Sequence, residues 1–207
     1  MSPRIEPVQT STEFPASSAV VIIGGGIIGL TAALTLAERN IPVVVLEKGR
    51  IAAEQSSRNL GWVRKTNRHM HDIPLALAAE RLWQQMPERV GQDVGFRQAG
   101  ILFVARNDAQ MAMHDGWLKS VASLDLDSRL VSAAEIAKLA PGGQGQWAGG
   151  IYTPSDARAE PTLASSAIAK AAMAKGALII ENCAVRTLVT SGGRVSGVLT
   201  ELSLIHI

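Results

Sequence analysis

The sequence predicts an α/β fold: a Rossmann-like domain on a parallel sheet, interrupted by part of a mixed α+β region and incomplete at its C-terminus. Three observations predict it. A β-branched run at residues 19–23 passes through Gly24-Gly25-Gly26-Ile27-Ile28-Gly29 into residues 27–39, where Ile28, Leu30, Ala33, Leu34 and Ala37 recur at helical spacing. Asn40-Ile41-Pro42 closes that helix and residues 43–46 form a second apolar run, giving a right-handed β-α-β unit of about thirty residues. After a stretch of mixed character, a helix and three strands at residues 161–200 return to the nucleotide-domain pattern.

Composition narrows the function classes. With 20 Lys and Arg against 18 Asp and Glu over 207 residues, the formal charge is only +2, without the basic stripe of a nucleic-acid binder. An apolar share of 47% against 18% charged excludes a disordered chain. Cys183 is alone, which excludes an intrachain disulfide and a thiolate metal cluster and fits a reducing, cytoplasmic setting, with peripheral membrane association left open. Residues 19–37 carry no charge and are long enough to approach a bilayer span. Gly24, Gly25, Gly26 and Gly29 and the change from strand to helix period read instead as a buried strand and helix, so no transmembrane segment is expected.

The remaining elements follow in order. Residues 1–18 lack the apolar core of a secretory signal and are expected to form a flexible arm. Residues 48–67 read as a polar loop. Asp72 is expected to cap a helix with Pro74 in its first turn and Leu75, Ala78, Leu82 and Met86 on one face. Two apolar runs broken by Gly100 predict antiparallel strands at 96–105, followed by a helix at 109–123. Ser132-Ala133-Ala134-Glu135 is a capping box, and the Gly-rich stretch 141–150 is a loop. Pro161 opens a helix to about residue 175 that Gly176 ends, and strands follow at 177–181, 185–189 and 195–200. Leu202-Ser203-Leu204-Ile205-His206-Ile207 coincides with one reading frame of a common transposase-type sequencing adapter. Residues 202–207 are therefore expected to be an artefact, and the gene product to continue beyond Glu201.

The chemistry sits in the glycine motif. A lone GxGxxG is weak, but this one follows a strand, opens a helix and has Glu47 at the end of the second strand, eighteen residues after Gly29. Gly24 permits the tight turn, Gly26 lets backbone approach a pyrophosphate, and Gly29 lets the helix pack closely on the sheet. The helix N-terminus favours the anion. Glu47 is expected to accept hydrogen bonds from ribose hydroxyls and to repel a 2′-phosphate, which disfavours NADP. The fingerprint serves FAD and NAD alike.

Leu46-Glu47-Lys48-Gly49, then Ala53-Glu54-Gln55-Ser56-Ser57-Arg58-Asn59 and Gly61, resembles the D-amino-acid-oxidase-type family of FAD-dependent oxidoreductases, especially its bacterial amino-acid deaminases and amine oxidases. The run 176–200 resembles that family's second nucleotide-binding segment. The resemblance implies an FAD-binding domain in two segments, 19–92 and 153–201, around a partial substrate domain at 93–152. It implies an oxidase or dehydrogenase acting on the C–N bond of an amino acid or secondary amine. Hydride passes to flavin N5 and the resulting imine hydrolyses; the electron acceptor is oxygen or a respiratory chain. By the same resemblance Gly24, Gly26, Ile27, Ile28, Gly29, Glu47, Lys48, Ser56, Ser57, Arg58, Gly61 and Val185 bind FAD. Lys48 would lie near the ribose, Ser56, Ser57 and Arg58 near the pyrophosphate, and Val185 against adenine. A Ser-Ser-Arg-Asn loop is also an anion cradle in its own right. An NAD-dependent dehydrogenase and a non-catalytic nucleotide-binding fragment stand as alternatives.

Other residues carry less. His69 and His71, with His114 far away, lack the convergent donors of a zinc site, so no metal is expected. Trp62, Arg64 and Lys65 either face the flavin ring or line an exposed loop edge. Arg158 and Glu160 suit the N-terminal turn of the Pro161 helix, and Cys183 reads as an inert buried thiol. No catalytic residue is assigned.

Overall fold

The computed structural model describes residues 5–143 and 145–207. Positions 1–4 of the expected arm and position 144 of the expected loop lie outside them. In chain order the elements are β1 (Val20–Ile23), α1 (Ile27–Ala37), β2 (Val43–Leu46), β3 (Trp62–Val63), α2 (Ile73–Val90), β4 (Ile101–Ala105), α3 (Asp108–Ser120), β5 (Arg129–Val131), α4 (Ala133–Leu139), β6 (Gly149–Thr153), β7 (Ala157–Arg158), α5 (Pro161–Ala174), β8 (Leu178–Ile180), β9 (Val185–Ser191), β10 (Arg194–Thr200) and β11 (Leu204–His206). The chain divides into two compact units, one of Met1–Leu60, Met86–Gly95 and Glu160–Ile207, the other of Gly61–Gln85 and Phe96–Ala159.

The first unit is Rossmann-like. Its parallel sheet has the order β1-β2-β8, with Val20 opposite Val43 and Val44 opposite Leu178. All four residues of β2 are buried, and each such aliphatic side chain stabilises by roughly 1.5–3 kcal/mol. α1 packs against α5, and Leu30, Ala33 and Leu34 of α1 and Ala164, Ala167 and Ile168 of α5 are all buried. Asn40, left-handed at φ 57°, ends the α1 turn, a conformation that Asn adopts more readily than most residues. β9, β10 and β11 form an antiparallel sheet, and the two-residue turn Gly192-Gly193 joins β9 to β10 with both φ values positive, as a tight hairpin requires.

The expected arm makes definite contacts. Ser11 N–H donates to Ile179 O at 2.8 Å, the Ser166 hydroxyl donates to Glu6 O, and Lys170 pairs with Glu6 at 2.6 Å. At the other end of the arm, His206 N–H donates to Ala16 O and Ser18 N–H to His206 O, both at 3.0 Å. Ile205 is buried in a cluster with Val44, Leu46, Ile180, Cys183 and Val198, against which Phe14 packs.

The second unit holds an antiparallel sheet, β4-β6-β5, and a β3-β7 ribbon. The Ser132 hydroxyl and Glu135 carboxylate close the predicted capping box on α4, and Asn107 caps α3. Three expectations are corrected. Of the two strands expected at 96–105 only β4 forms; Arg97 makes an isolated bridge to Arg158. The loop expected at 48–67 contains a 3-10 turn at Gln55–Ser57 and β3. Asp72 does not cap α2 but lies in a 3-10 turn capped by His69.

The apolar face expected on α2 is also displaced. Leu75 and Leu82 are 74% and 54% exposed, while Ile73, Glu80, Met86 and Val90 are buried. The buried stripe includes a carboxylate, which hydrophobic periodicity cannot register. Finally, β1 was expected to be buried on both faces, yet its residues are only partly buried and Ile23 is 56% exposed, because β2 alone pairs with it.

Candidate functional site

The first unit's site lies where the three parallel strands end, the usual ligand crevice of an open α/β sheet. Gly24 takes φ 109°, and its N–H donates to Leu46 O at 2.9 Å, locking the turn to the end of β2. A Cβ on Gly29 would lie 2.1 Å from Gly24 O, so α1 approaches the turn as only glycine allows. Gly25 is constrained as well, since a Cβ there would meet Glu47 Cβ at 3.0 Å and Ile51 Cγ2 at 3.1 Å. The sequence reading gave this middle glycine no role.

Glu47 is fixed by backbone on both sides. Its Oε2 accepts Gly25 N–H and its Oε1 accepts Gly49 N–H, each at 2.8 Å, leaving further lone pairs on both oxygens. The Ser56 hydroxyl oxygen accepts Ile27 N–H at 2.9 Å at the start of α1, and a Cβ on Gly26 would stand 3.0 Å from it. Gly24, Gly25, Gly26, Ile27, Gly29, Glu47 and Ser56 are thus brought together by direct contacts.

The other expected residues are placed apart. Lys48 is exposed, and Arg58 is exposed and paired with Glu54 at 3.4 Å. Ser57 is buried, with its hydroxyl turned to Glu54 O. Ile28 is 82% exposed. Val185 opens β9 opposite Thr200, and Gly61, at φ 68°, belongs to the second unit. Glu181 was missed: just beyond β8, its Oε1 accepts Ile51 N–H at 2.7 Å, while Ala52 N–H donates to Gly25 O. An acid following the third parallel strand was the available signal.

In the second unit Lys65 takes neither expected place. It is 2% exposed, with Nζ 2.5 Å from Glu80 and 3.4 Å from Asp156. Asp156, fully buried, also accepts the backbone N–H of Lys65 at 2.7 Å and that of Thr66 at 3.3 Å, together with the Thr66 hydroxyl. Arg64 donates to Thr66 O and lies 5.3 Å from the Phe103 ring centroid, and Trp62 meets that ring edge-on. Burial, and then Arg68, lower the Arg64 pKa. His69 and His71 rings are 5.0 Å apart. Burial lowers the pKa of His114, which lines a hollow with Phe103 and Trp117. Among the described residues no three His, Cys, Asp or Glu converge as a metal site, and no helix is long and apolar enough to cross a membrane. Cys183 is a buried free thiol whose pKa burial raises.

Known proteins resemble this chain in sequence and fold. The profile of the family described as "FAD dependent oxidoreductase" matches residues 19–205. The solved structure of L-amino acid deaminase from Proteus myxofaciens, in complex with anthranilate, superposes with a TM-score of 0.91 at 30% identity, covering 100% of this chain and 47% of that one. Mitochondrial sarcosine dehydrogenase of Mus musculus is 28% identical over 87% of this chain and 20% of its own length. The mitochondrial pyruvate dehydrogenase phosphatase regulatory subunit of the same species is 28% identical over 92% of this chain and 22% of its own. The chain thus spans about a fifth of these two curated relatives and about half of the deaminase.

Proposed function

We propose, from the premise that this chain belongs to the FAD dependent oxidoreductase family, that the whole protein is a flavoenzyme oxidising the C–N bond of an amino acid or secondary amine. The observation that carries the reading is the joined cradle of Gly24–Gly29, Glu47 and Ser56, together with the likeness to an amino acid deaminase over the full chain. Bound FAD supplies a hydride acceptor, and the oxidised imine product hydrolyses in water.

The residues present fit that cofactor. Ser56 takes one α1 amide and keeps its own hydroxyl proton for a phosphate oxygen, beside a helix N-terminus whose dipole favours the anion. Glu47, held by two amides, offers its remaining lone pairs to ribose hydroxyls. The missing Cβ at Gly26 leaves room for the pyrophosphate next to Ser56. We assign Lys48, Ser57, Arg58, Gly61 and Val185 to the outer cofactor contacts, and Ile27 and Ile28 to contacts through backbone N–H. Amino-acid or amine substrates, and oxygen or a respiratory chain as electron acceptor, complete the reading. A cytoplasmic setting agrees with the one free thiol.

A second reading, a non-catalytic nucleotide-binding subunit, is favoured by the likeness to a regulatory subunit at the same identity as to the dehydrogenase. One experiment separates the two. The full-length protein is purified, its flavin absorbance recorded, and the bands followed anaerobically with a panel of amino acids and N-methylated amines. Bleaching by one substrate class supports oxidation. Bound flavin that no amine bleaches supports the regulatory reading, and a protein that binds NAD and no flavin overturns the flavoenzyme reading.

A further inference from the structure

The loop that begins at Glu47 is joined to the end of β8 by two kinds of bond. Three run from backbone to backbone: Glu47 N–H donates to Ile180 O, Asn182 N–H to Gly49 O and Cys183 N–H to Glu47 O, each at 2.9 Å. Bonds of this kind need no particular side chain. The fourth does, because Ile51 N–H donates to Glu181 Oε1 at 2.7 Å. Ile51 is buried, and an amide left without an acceptor in such a place is costly.

The turn that Glu181 holds is strained and lies against the glycine motif. Ala52, also buried, is left-handed at φ 54°, a conformation its Cβ disfavours. A residue keeps that shape only where its surroundings restrain it. Glu181 restrains the turn at Ile51, and Ala52 N–H restrains it from the other side by donating to Gly25 O at 2.9 Å. Ile51 Cγ2 lies 3.1 Å from the place a Gly25 Cβ would take, so the Ile51 side chain sits directly on Gly25. Gly25 N–H in turn donates to Glu47 Oε2 at 2.8 Å. One line of contacts runs from Glu181 through Ile51 and Ala52 to Gly25 and the carboxylate of Glu47.

We infer that Glu181 is a positioning residue of the nucleotide cradle, acting through the turn at Ile51 and Ala52 to fix Gly25 and, with it, the carboxylate of Glu47. Its working part is the acceptor oxygen and not the charge, since the group it holds is a neutral backbone amide. Reach matters for the same reason: the oxygen must extend from the end of β8 to Ile51. Because Glu181 lies 130 residues from Ile51, the cradle takes its final shape only once β8 has docked beside β2. This role rests on the cofactor reading of the cradle and is independent of amine oxidation.

The test uses full-length protein stripped of flavin and titrated with FAD and with ADP, well below the melting temperature of each variant. Glu181→Ala removes the acceptor, and Glu181→Asp withdraws it by one methylene while keeping the charge. Glu181→Gln keeps a carbonyl oxygen at full reach without the charge. Glu181→Ala and Glu181→Asp are expected to bind both nucleotides about 10-fold more weakly, with Glu181→Gln within about 3-fold of wild type. The Ile51 amide of the weakened variants should exchange about 10-fold or more faster. If Glu181→Ala does not fold, the contrast between Glu181→Asp and Glu181→Gln decides. Nucleotide affinity unchanged in Glu181→Asp overturns the role, as does equal Ile51 exchange in all variants. A Glu181→Gln protein as weak as Glu181→Asp overturns it too, by making the charge the working part. A wild-type protein that binds neither FAD nor ADP overturns the cofactor reading and this role together, so the two failures are told apart by the wild-type titration.

Discussion

The two units bury different chemistry. Among the described residues of the first, the buried polar ones are the neutral Ser57, Ser165, Ser166 and Thr200, and the rest of its core is aliphatic apart from Met86 and Cys183. In the second, the buried polar set includes Lys65, Glu80 and Asp156 with Thr66 and Thr153 around them. The first unit is therefore held by non-directional burial of aliphatic strands and helices. The second depends on a buried ion cluster that is stable only while every member is paired. Asp156 lies about ninety residues from Lys65, so the cluster forms only once β3, α2 and the turn after β6 have met.

The largest test of this contrast is Lys65→Met. It leaves Glu80 and Asp156 buried without their shared cation, and a loss of about 3–5 kcal/mol in urea unfolding of the full-length protein is expected. Adding Glu80→Leu should restore at least half of that loss. Asp156 still accepts two backbone N–H groups and the Thr66 hydroxyl, and the unpaired carboxylate is gone. A Lys65→Met protein as stable as a surface variant, or a double variant worse than the single, would show that the second unit does not depend on its charges.

A pair of glycine substitutions sharpens the contrast at intermediate size. Gly29→Ala in the first unit drives a Cβ to within 2.1 Å of Gly24 O, backbone that cannot step aside. A destabilisation of about 1–3 kcal/mol and weaker flavin retention are expected. Gly116→Ala, in the exposed interior of α3 with nothing within 4 Å of the added Cβ, should instead stabilise by up to about 1 kcal/mol. Paired thermal melts and flavin release measure both. Equal effects at the two sites would mean that the turn at Gly24 yields to a side chain.

The same contrast decides what was legible beforehand. The β1-α1-β2 unit, α5 and the hairpin around Gly192-Gly193 could be read because local pattern and turn chemistry agree with the tertiary fold there. The cradle could be read for Gly24, Gly26, Gly29 and Glu47, whose spacing is local. Glu181 was missed because its partner Ile51 is 130 residues away, so only its place after the third parallel strand marked it. The second unit was read poorly where burial is polar. Glu80 sits on the inner stripe of α2 and Lys65 in a segment that looks like loop, so periodicity pointed to Leu75 and Leu82, which face water. β5 and β6 were passed over for a related reason. β5 has three residues and β6 begins with two glycines, so neither carries a strand signature before it finds its partners.

The smallest expected effect concerns a charge the second unit keeps on its surface. Glu135 accepts Ser132 N–H at 3.0 Å, the Ser132 hydroxyl at 3.1 Å and Arg129 at 2.7 Å. The backbone N–H first, then Arg129 and the hydroxyl, lower its pKa from 4.5 to about 2. Because the folded value lies below the unfolded one, the support it gives α4 is fully present above about pH 4.5. That support is lost as pH falls toward about 2. Exchange of the amides at the start of α4 should therefore quicken across that window, while Glu135→Gln removes the pH dependence and leaves the rest of the protein unchanged. The group is solvent-exposed, so global stability should hardly move, in contrast to Lys65. An NMR titration in which Glu135 ionises at its ordinary value would mean that the capping box on α4 does not hold the carboxylate, and that the second unit's charges matter only where water is excluded.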